Sequence, residues 1–312
     1  MVSFADLMVT RSSKGKTKLM AIHGMVRWYR IENKLKKILS RSGLGPQGYP
    51  PVVLFKALIL QQFYGLSDPM MEEMLYDRIS FRDFCGLTLT DKIPDETTLC
   101  RFRAGLLGQT EALFQMVLED LKRQGIEIKG GTIIDASVIP SFTKPPMGGT
   151  VSEVDPDAGW TKKSGKYLHG YKIHLACDDK NRIITNVLAT SADVHDSVPL
   201  PKLLRGDETS LTADKAYESR KHRALLSQLG IEDRLMFKAK RGGKQPEWQR
   251  QLNKIWGKSR GLIEGIFGTM KTTMGLTKTR YKGWERNQVH FDLLAIAYNL
   301  SRAFNILRPQ RG

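Results

Sequence analysis

The sequence has few cysteines, no long apolar run and a shortage of acidic residues. Its three cysteines, Cys85, Cys100 and Cys177, are too few and too irregularly spaced for a disulfide framework or a zinc ribbon. No apolar run reaches the roughly 18 residues that a membrane-spanning helix needs. The amino terminus lacks the basic and apolar regions of a secretory signal. These absences predict a reduced, cytoplasmic protein without a membrane partner.

The shortage of acids leaves a large positive charge. Lysine and arginine number 49 against 32 aspartates and glutamates, which gives a net charge of +17. Such an excess attracts polyanions, above all nucleic acid, and favours DNA over a small-molecule substrate. The 312 residues, 41% of them hydrophobic, are enough for two domains with substantial cores.

The first part of the chain has helical periodicity, interrupted by glycine, proline and capping residues. Together the predicted helices define an all-helical domain over residues 1–128, and they lie within 20–39, 51–65, 67–78, 94–106 and 109–125. Arg101 and Arg103 are expected on an exposed helix face, which suits a helix-turn-helix-like DNA-binding unit. A plain helical bundle fits equally well, because no base-reading residue can be identified from the pattern.

From residue 130 strands and helices alternate, and the predicted second domain covers residues 129–312. The predicted strands are 131–139, 171–178, 182–190, 210–217 and 233–239, with helices over 196–206, 219–230 and 291–307 and a long helical run containing Glu264. Three sequential strands followed by alternating helices and strands are typical of a ribonuclease H-like domain, a mixed sheet flanked by helices. In this arrangement Asp135 and Asp214 are expected at the ends of neighbouring strands.

Three acids distant in sequence, Asp135, Asp214 and Glu264, can therefore converge. Carboxylates held together repel one another, and divalent cations relieve the repulsion. Oxygen ligands select Mg²⁺, with Mn²⁺ as a substitute. Two such ions per site can activate a water or a 3′-hydroxyl for displacement at phosphorus.

Basic residues surround these acids in the sequence. Arg260 and Lys271 share a helix face with Glu264, and taken alone this pattern is typical of a solvated salt-bridge ladder. Next to converging carboxylates, the two cations are instead expected to bind DNA phosphates. Lys258, in a basic run over residues 238–260, is expected to track DNA. Lys215, beside Asp214, fits a phosphate contact and simple solvation equally well.

Two other polar pairs are more simply structural. His169 and His174 have the wrong spacing for zinc and lack a third ligand, so they are interpreted as structural or phosphate-contacting residues. Asp196, after His195, is interpreted as a helix cap rather than a catalytic acid.

Several segments together resemble the DDE transposases of bacterial insertion sequences, in group five and near group four. The segments are LFKALILQQFYGLSDPMMEEMLYDRISFRDFCGL with PDETTLCRFRAGL, DPDAGWTKKSGKYLHGYKIHLACDDKNRIITNVLATSADVHDS, TADKAY and RGLIEGIFGTMK. The resemblance assigns the second catalytic Asp to Asp214 and the carboxy-terminal Arg, Glu and Lys roles to Arg260, Glu264 and Lys271. The tyrosine of that signature falls on Gly257, so no role is transferred to it.

This resemblance implies an enzyme that binds terminal inverted repeats and carries out metal-dependent strand cleavage and strand transfer. It implies two Mg²⁺ ions held by the three acids, double-stranded DNA as partner, a dimer or higher oligomer in the synaptic complex, and a bacterial, nucleoid-associated location. Two alternatives remain: a catalytically silent, sequence-specific DNA-binding protein derived from a transposase, and a simple ribonuclease H-like nuclease. The intact acids favour the transposase.

Overall fold

The computed structural model describes residues 17–41, 48–128, 130–163, 165–239 and 243–308. The chain divides into two compact units, and each is described by itself. The helical unit comprises residues 1–126 and 292–312, and the sheet unit comprises residues 127–291. The described residues from 292 onward group with the helical unit, whereas the domain predicted over 129–312 included them.

The helical unit is built around one helix that is buried on nearly all sides. Its helices are α1 (Lys18–His23), α2 (Trp28–Arg41), α3 (Pro51–Tyr64), α4 (Asp68–Asp77), α5 (Ile79–Cys85), α6 (Glu96–Ala104) and α7 (Thr110–Arg123). The core helix is α3, which begins at a proline and ends at Gly65, whose φ of 65° requires the left-handed conformation that glycine adopts without strain. Ser67 and Asp95 cap α4 and α6 as predicted. The single helix predicted over 20–39 is two helices, interrupted near Gly24.

The sheet unit contains a six-stranded mixed sheet. Its strands are β1 (Gly131–Pro140), β2 (Gly159–Lys163), β3 (Lys166–Asp178), β4 (Ile184–Ser191), β5 (Ser210–Ala213) and β6 (Glu232–Leu235). The order is β2-β3-β1-β5-β6, and β4 also pairs with β3. Pairings among β1 to β4 are antiparallel, whereas β5 is parallel to both β1 and β6. This is the ribonuclease H-like topology predicted from the sequence.

Four helices complete the chain. They are α8 (Leu200–Leu203), α9 (Arg220–Gln228), α10 (Glu247–Thr272) and α11 (Trp284–Leu307), and the last begins seven residues before the predicted start. The helix predicted over 196–206 shortens to α8, so Asp196 does not cap it, and its N-cap is Pro199. Within the described ranges, no helix is long and apolar enough to cross a membrane.

The register of β1 and β5 positions the candidate site. Their parallel pairing ends at Ile134 and Ala213. The next residues in the chain are Asp135, still within β1, and Asp214, directly after β5. The prediction that Asp135 ends its strand was wrong, because β1 continues to Pro140 through its pairing with β3. It is β5 that ends there. Helix α10 packs against both strands at this point.

Candidate active site

The three predicted acids lie around one arginine. The Nη2 atom of Arg260 lies 3.1 Å from Oδ2 of Asp135 and 3.8 Å from Oε1 of Glu264. Its Nη1 atom lies 3.9 Å from Oδ2 of Asp214. Residues from β1, the end of β5 and α10 therefore meet at a single guanidinium, although they are separated by up to 129 positions in the sequence.

Local structure holds each carboxylate in a different way. Asp135 accepts a hydrogen bond from the backbone N–H of Ala136 at 2.9 Å. Asp214 caps a short 3₁₀ turn, Lys215–Tyr217, by accepting from the N–H of Ala216 at 2.5 Å. Glu264 lies one helical turn after Arg260 on α10, the spacing that brings two side chains to the same face.

The acids differ strongly in exposure. The side chain of Asp135 is 15% exposed, whereas that of Glu264 is 64% exposed. Burial raises the pKa of Asp135 above its usual value, and the charge of Asp214 adds to that rise, while Arg260 opposes it. Burial also opposes the charge on Arg260, but the attraction of the three acids is stronger and raises the pKa of Arg260. One cation thus faces three acids, and the cluster has an excess of negative charge.

Lys271 contacts β1 at Ser137, two residues after Asp135. Its Nζ atom donates a hydrogen bond to Oγ of Ser137 at 2.7 Å. Burial lowers the pKa of Lys271, and the nearby Lys163 lowers it further. Sequence reasoning missed Ser137, although the two-residue period of a strand places it on the same face as Asp135.

The other predicted DNA contacts fall into two groups. Arg101, Lys215 and Lys258 are exposed, so their side chains are free to meet DNA. The expectation that Arg103 lies on an exposed face was wrong. Arg103 is buried, and it forms an ion pair with Asp68 and donates to Oε1 of Gln61 at 3.1 Å. A buried guanidinium needs such partners, and α3 and α4 supply them through Gln61 and Asp68.

The remaining candidates have structural surroundings. His174 is fully buried, contacts Oγ1 of Thr190 at 2.8 Å, and has its pKa lowered to about 4 chiefly by burial, so it is neutral near pH 7. His169 is also buried and packs against the ring of Trp160. Asp196 forms an ion pair with Lys172 at 2.7 Å instead of capping a helix.

The donor set of the candidate site suits a hard divalent cation. All three side chains are carboxylates, and a buried carboxylate with a raised pKa beside a second one is stabilised by added positive charge. In the described part of the chain, no three His, Cys, Asp or Glu residues are grouped closely enough to hold a metal ion. Arg260 lies among the three carboxylates instead. The ligand chemistry therefore fits a metal, although in the structure the guanidinium of Arg260 lies between the three carboxylates.

A mixed ribonuclease H-like sheet with three acids meeting beside its central strands defines a class of enzymes that act on nucleic acid. Comparison with known families is more specific. Residues 127–300, more than half of the chain, match the family described as Transposase DDE domain, and residues 9–105 match a Transposase domain (DUF772). The chain belongs to the DDE transposase family. This identifies an enzyme of DNA transposition, in a family that generally uses divalent metal ions.

One solved structure with an overall likeness is described as a cryo-EM structure of the piggyBac transposase synaptic complex with hairpin DNA. It is 12% identical in sequence, with a TM-score of 0.48, and the match covers 95% of this chain and 76% of that one.

Proposed function

We propose that the protein binds the ends of its own mobile element and catalyses strand cleavage and strand transfer with Asp135, Asp214 and Glu264 as metal ligands. The observation that carries this proposal is the meeting of the three acids at Arg260, at distances of 3.1, 3.9 and 3.8 Å. Three carboxylates from three separate elements are not needed to balance one arginine. Their excess negative charge suits Mg²⁺ or Mn²⁺.

The chemistry follows from these ligands. Asp135, Asp214 and Glu264 would hold two Mg²⁺ ions, and such ions would supply the activation of a water or a 3′-hydroxyl and the stabilisation of the leaving oxygen of a phosphodiester. Asp214 is oriented by the N–H of Ala216, and Asp135 by the N–H of Ala136, so both reach the site with little freedom. Glu264 is exposed on α10 and completes the set from the solvent side.

We assign two roles to Arg260. In the metal-free protein it neutralises part of the charge on the three acids and keeps them together. With metal present, the guanidinium turns to a phosphate of the bound DNA, for which its planar, bidentate geometry is suited. Lys271, held near Asp135 through Ser137, contributes a second phosphate contact.

The partner in this proposal is double-stranded DNA, both the terminal inverted repeats and the target. The net charge of +17 attracts DNA as a whole. Three exposed cations contact its phosphates directly in this proposal: Arg101, Lys215 and Lys258. Joining two ends of an element requires both in one complex, so we propose that a dimer or larger assembly is the active form, working on the bacterial chromosome.

The test compares two glutamates of the same helix. Glu264→Gln should abolish cleavage and joining of terminal-repeat DNA in Mg²⁺ or Mn²⁺, a loss of about 1,000-fold or more, as for members of a concerted catalytic set. Glu247→Gln is the matched control: Glu247 lies at the start of α10, is similarly exposed, and contacts Arg250 and Gln251 of the same helix. It should cleave like wild type.

Binding has to be measured beside cleavage. A gel shift should show that Glu264→Gln still binds the element ends, because the acid is a metal ligand in this proposal and not a DNA contact. Normal cleavage by Glu264→Gln would refute the assignment of Glu264. Specific binding by wild type without metal-dependent cleavage would favour the catalytically silent DNA-binding protein. Cleavage without any preference for the ends would favour a simple nuclease.

A further inference from the structure

A cavity lies on the face of β1 opposite the acids. It has a volume of about 170 Å³ and is lined by Ala136, Val138, Thr161, Lys162, Lys163, Lys172 and Asp196. Successive side chains of a strand point to opposite faces, so Ala136 and Val138 are on the other side from Asp135 and Ser137. The cavity therefore begins one residue from a proposed metal ligand.

The register of the sheet leaves this region accessible from the site. Strand β5 pairs with β1 only as far as Ile134, so it covers neither Asp135 nor the residues beyond. Lys163, at the cavity, is near enough to Lys271 to lower the pKa of Lys271, and Lys271 contacts Ser137 on the face with the acids. Positively charged side chains therefore lie on both faces of β1: Lys163 at the cavity and Lys271 on the face with the acids.

The cavity has more positive than negative charge. Lys172 is buried, and its ammonium donates to the backbone oxygen of Val194 at 2.7 Å and pairs with Asp196 at 2.7 Å. An ammonium has three N–H groups, so at least one remains for a ligand. Asp196 pairs with Lys172, and Lys162 and Lys163 are exposed at the cavity.

We infer that this cavity is a subsite for a backbone phosphate of the DNA strand next to the one being cut. The inference rests on the proposed function. Three lysines and a single acid line the cavity, so its positive charge is in excess, and a bound anion would offset that excess. Because the cavity adjoins the acids and its cations continue toward Lys271, the anion is a phosphodiester of the same bound DNA. This subsite holds the strand next to the one being cut, and together with the contacts on the acid face it aligns the scissile phosphate of the cut strand.

The first measurement is the salt dependence of DNA binding. The double variant Lys162→Ala/Lys163→Ala should make the negative slope of log affinity against log salt less steep, by about 0.9 for each phosphate that the variant no longer neutralises. Its melting temperature should not change, because both side chains are exposed. The control Lys202→Ala/Lys221→Ala removes the same charge from two exposed positions of the sheet unit outside the cavity, and its slope should equal that of wild type.

The second measurement locates the phosphate. Neutral methylphosphonate linkages are placed one at a time around the cleavage position of terminal-repeat DNA. Wild type and the control should bind more weakly when one linkage within a few nucleotides of the cut is neutral, and the Lys162→Ala/Lys163→Ala variant should show no further weakening there. Equal weakening at every linkage in the variant and wild type would overturn the subsite. If wild type cleaves the ends normally in that case, the proposed function stands without it; if wild type neither binds nor cleaves them, both fail.

Discussion

The two units each contain a partly or fully buried arginine that meets carboxylates, and the two arrangements differ in charge. In the helical unit, Arg103 meets one acid, Asp68, and its Nη1 lies 3.0 Å from Oδ2 of that residue. Gln61 accepts a hydrogen bond from Arg103 and donates one to Asp68. In the sheet unit, Arg260 meets three acids. The first is a balanced structural pair. The second has more negative charge than its arginine can neutralise.

This difference separates a structural ion pair from a functional site. A buried pair of one positive and one negative charge needs no further counter-ion. A cluster with excess charge includes a carboxylate, Asp135, whose pKa is raised chiefly by burial, and such groups concentrate at functional sites. The comparison predicts opposite responses of the two arginines to metal.

The largest expected effect on stability is that of replacing Arg103 or Arg260 by alanine, and the two variants should respond differently to Mg²⁺. Arg103→Ala leaves Asp68 without its cation and should lower the free energy of unfolding by about 3 kcal/mol, with no recovery in Mg²⁺. Arg260→Ala removes the competitor of the metal, so Mg²⁺ should raise its melting temperature more than that of wild type. Thermal unfolding of both variants in EDTA and in Mg²⁺ measures this. Equal responses of the two variants to Mg²⁺ would remove the distinction between the sites.

A smaller effect is expected from Asp135 as the pH changes. Its pKa is raised in the folded protein, so protonation favours the folded state, and that contribution is lost as the pH rises through the raised pKa. Asp135→Asn should therefore be more stable than wild type at neutral pH in EDTA. The difference should vanish below the usual Asp pKa of about 3.8. Urea unfolding from pH 3 to pH 8 tests this, with Asp207→Asn as an exposed control. A pH-independent difference would contradict the raised pKa.

The smallest effect concerns the backbone of α10. Gly265 is exposed, and a Cβ added there would have no atom within 4 Å. Gly265→Ala should raise the free energy of unfolding by about 0.5–1 kcal/mol, because glycine weakens a helix interior. The contrasting variant is Gly65→Ala at the end of α3, where φ is 65° and a side chain is strained. Chemical denaturation should show opposite signs, and the same sign for both would contradict the backbone argument.

The sequence predicted the order of strands and the meeting of the acids better than it predicted local details. Asp135, Asp214 and Glu264 follow from strand and helix order, because the first strand and the strand before Asp214 are neighbours in this topology. The position of Asp135 in the middle of β1 was not predicted. The alternating pattern of a strand does not show where the neighbouring strand, here β5, ends. Strand β2 was missed because most of its residues are polar or glycine and it pairs only with β3.

Side-chain direction within the helical unit was partly predictable. Arg101 and Arg103 are two positions apart, and residues at that spacing do not share a helix face. The spacing therefore argued against placing both side chains on one exposed face of α6. It did not show which of the two arginines is buried. The partner of Arg103, Asp68, is 35 positions away, and only the packing of α4 against α6 brings it into contact.

If the three acids around Arg260 form one metal-binding set, the DNA-free protein should bind Mn²⁺ through all three, which a titration with Mn²⁺ measures. Isothermal calorimetry should give equal binding for wild type and Glu247→Gln. Asp214→Asn should bind at least about tenfold more weakly, because a ligand and a charge are both removed. Unchanged Mn²⁺ affinity and stoichiometry in folded Asp214→Asn would contradict the account.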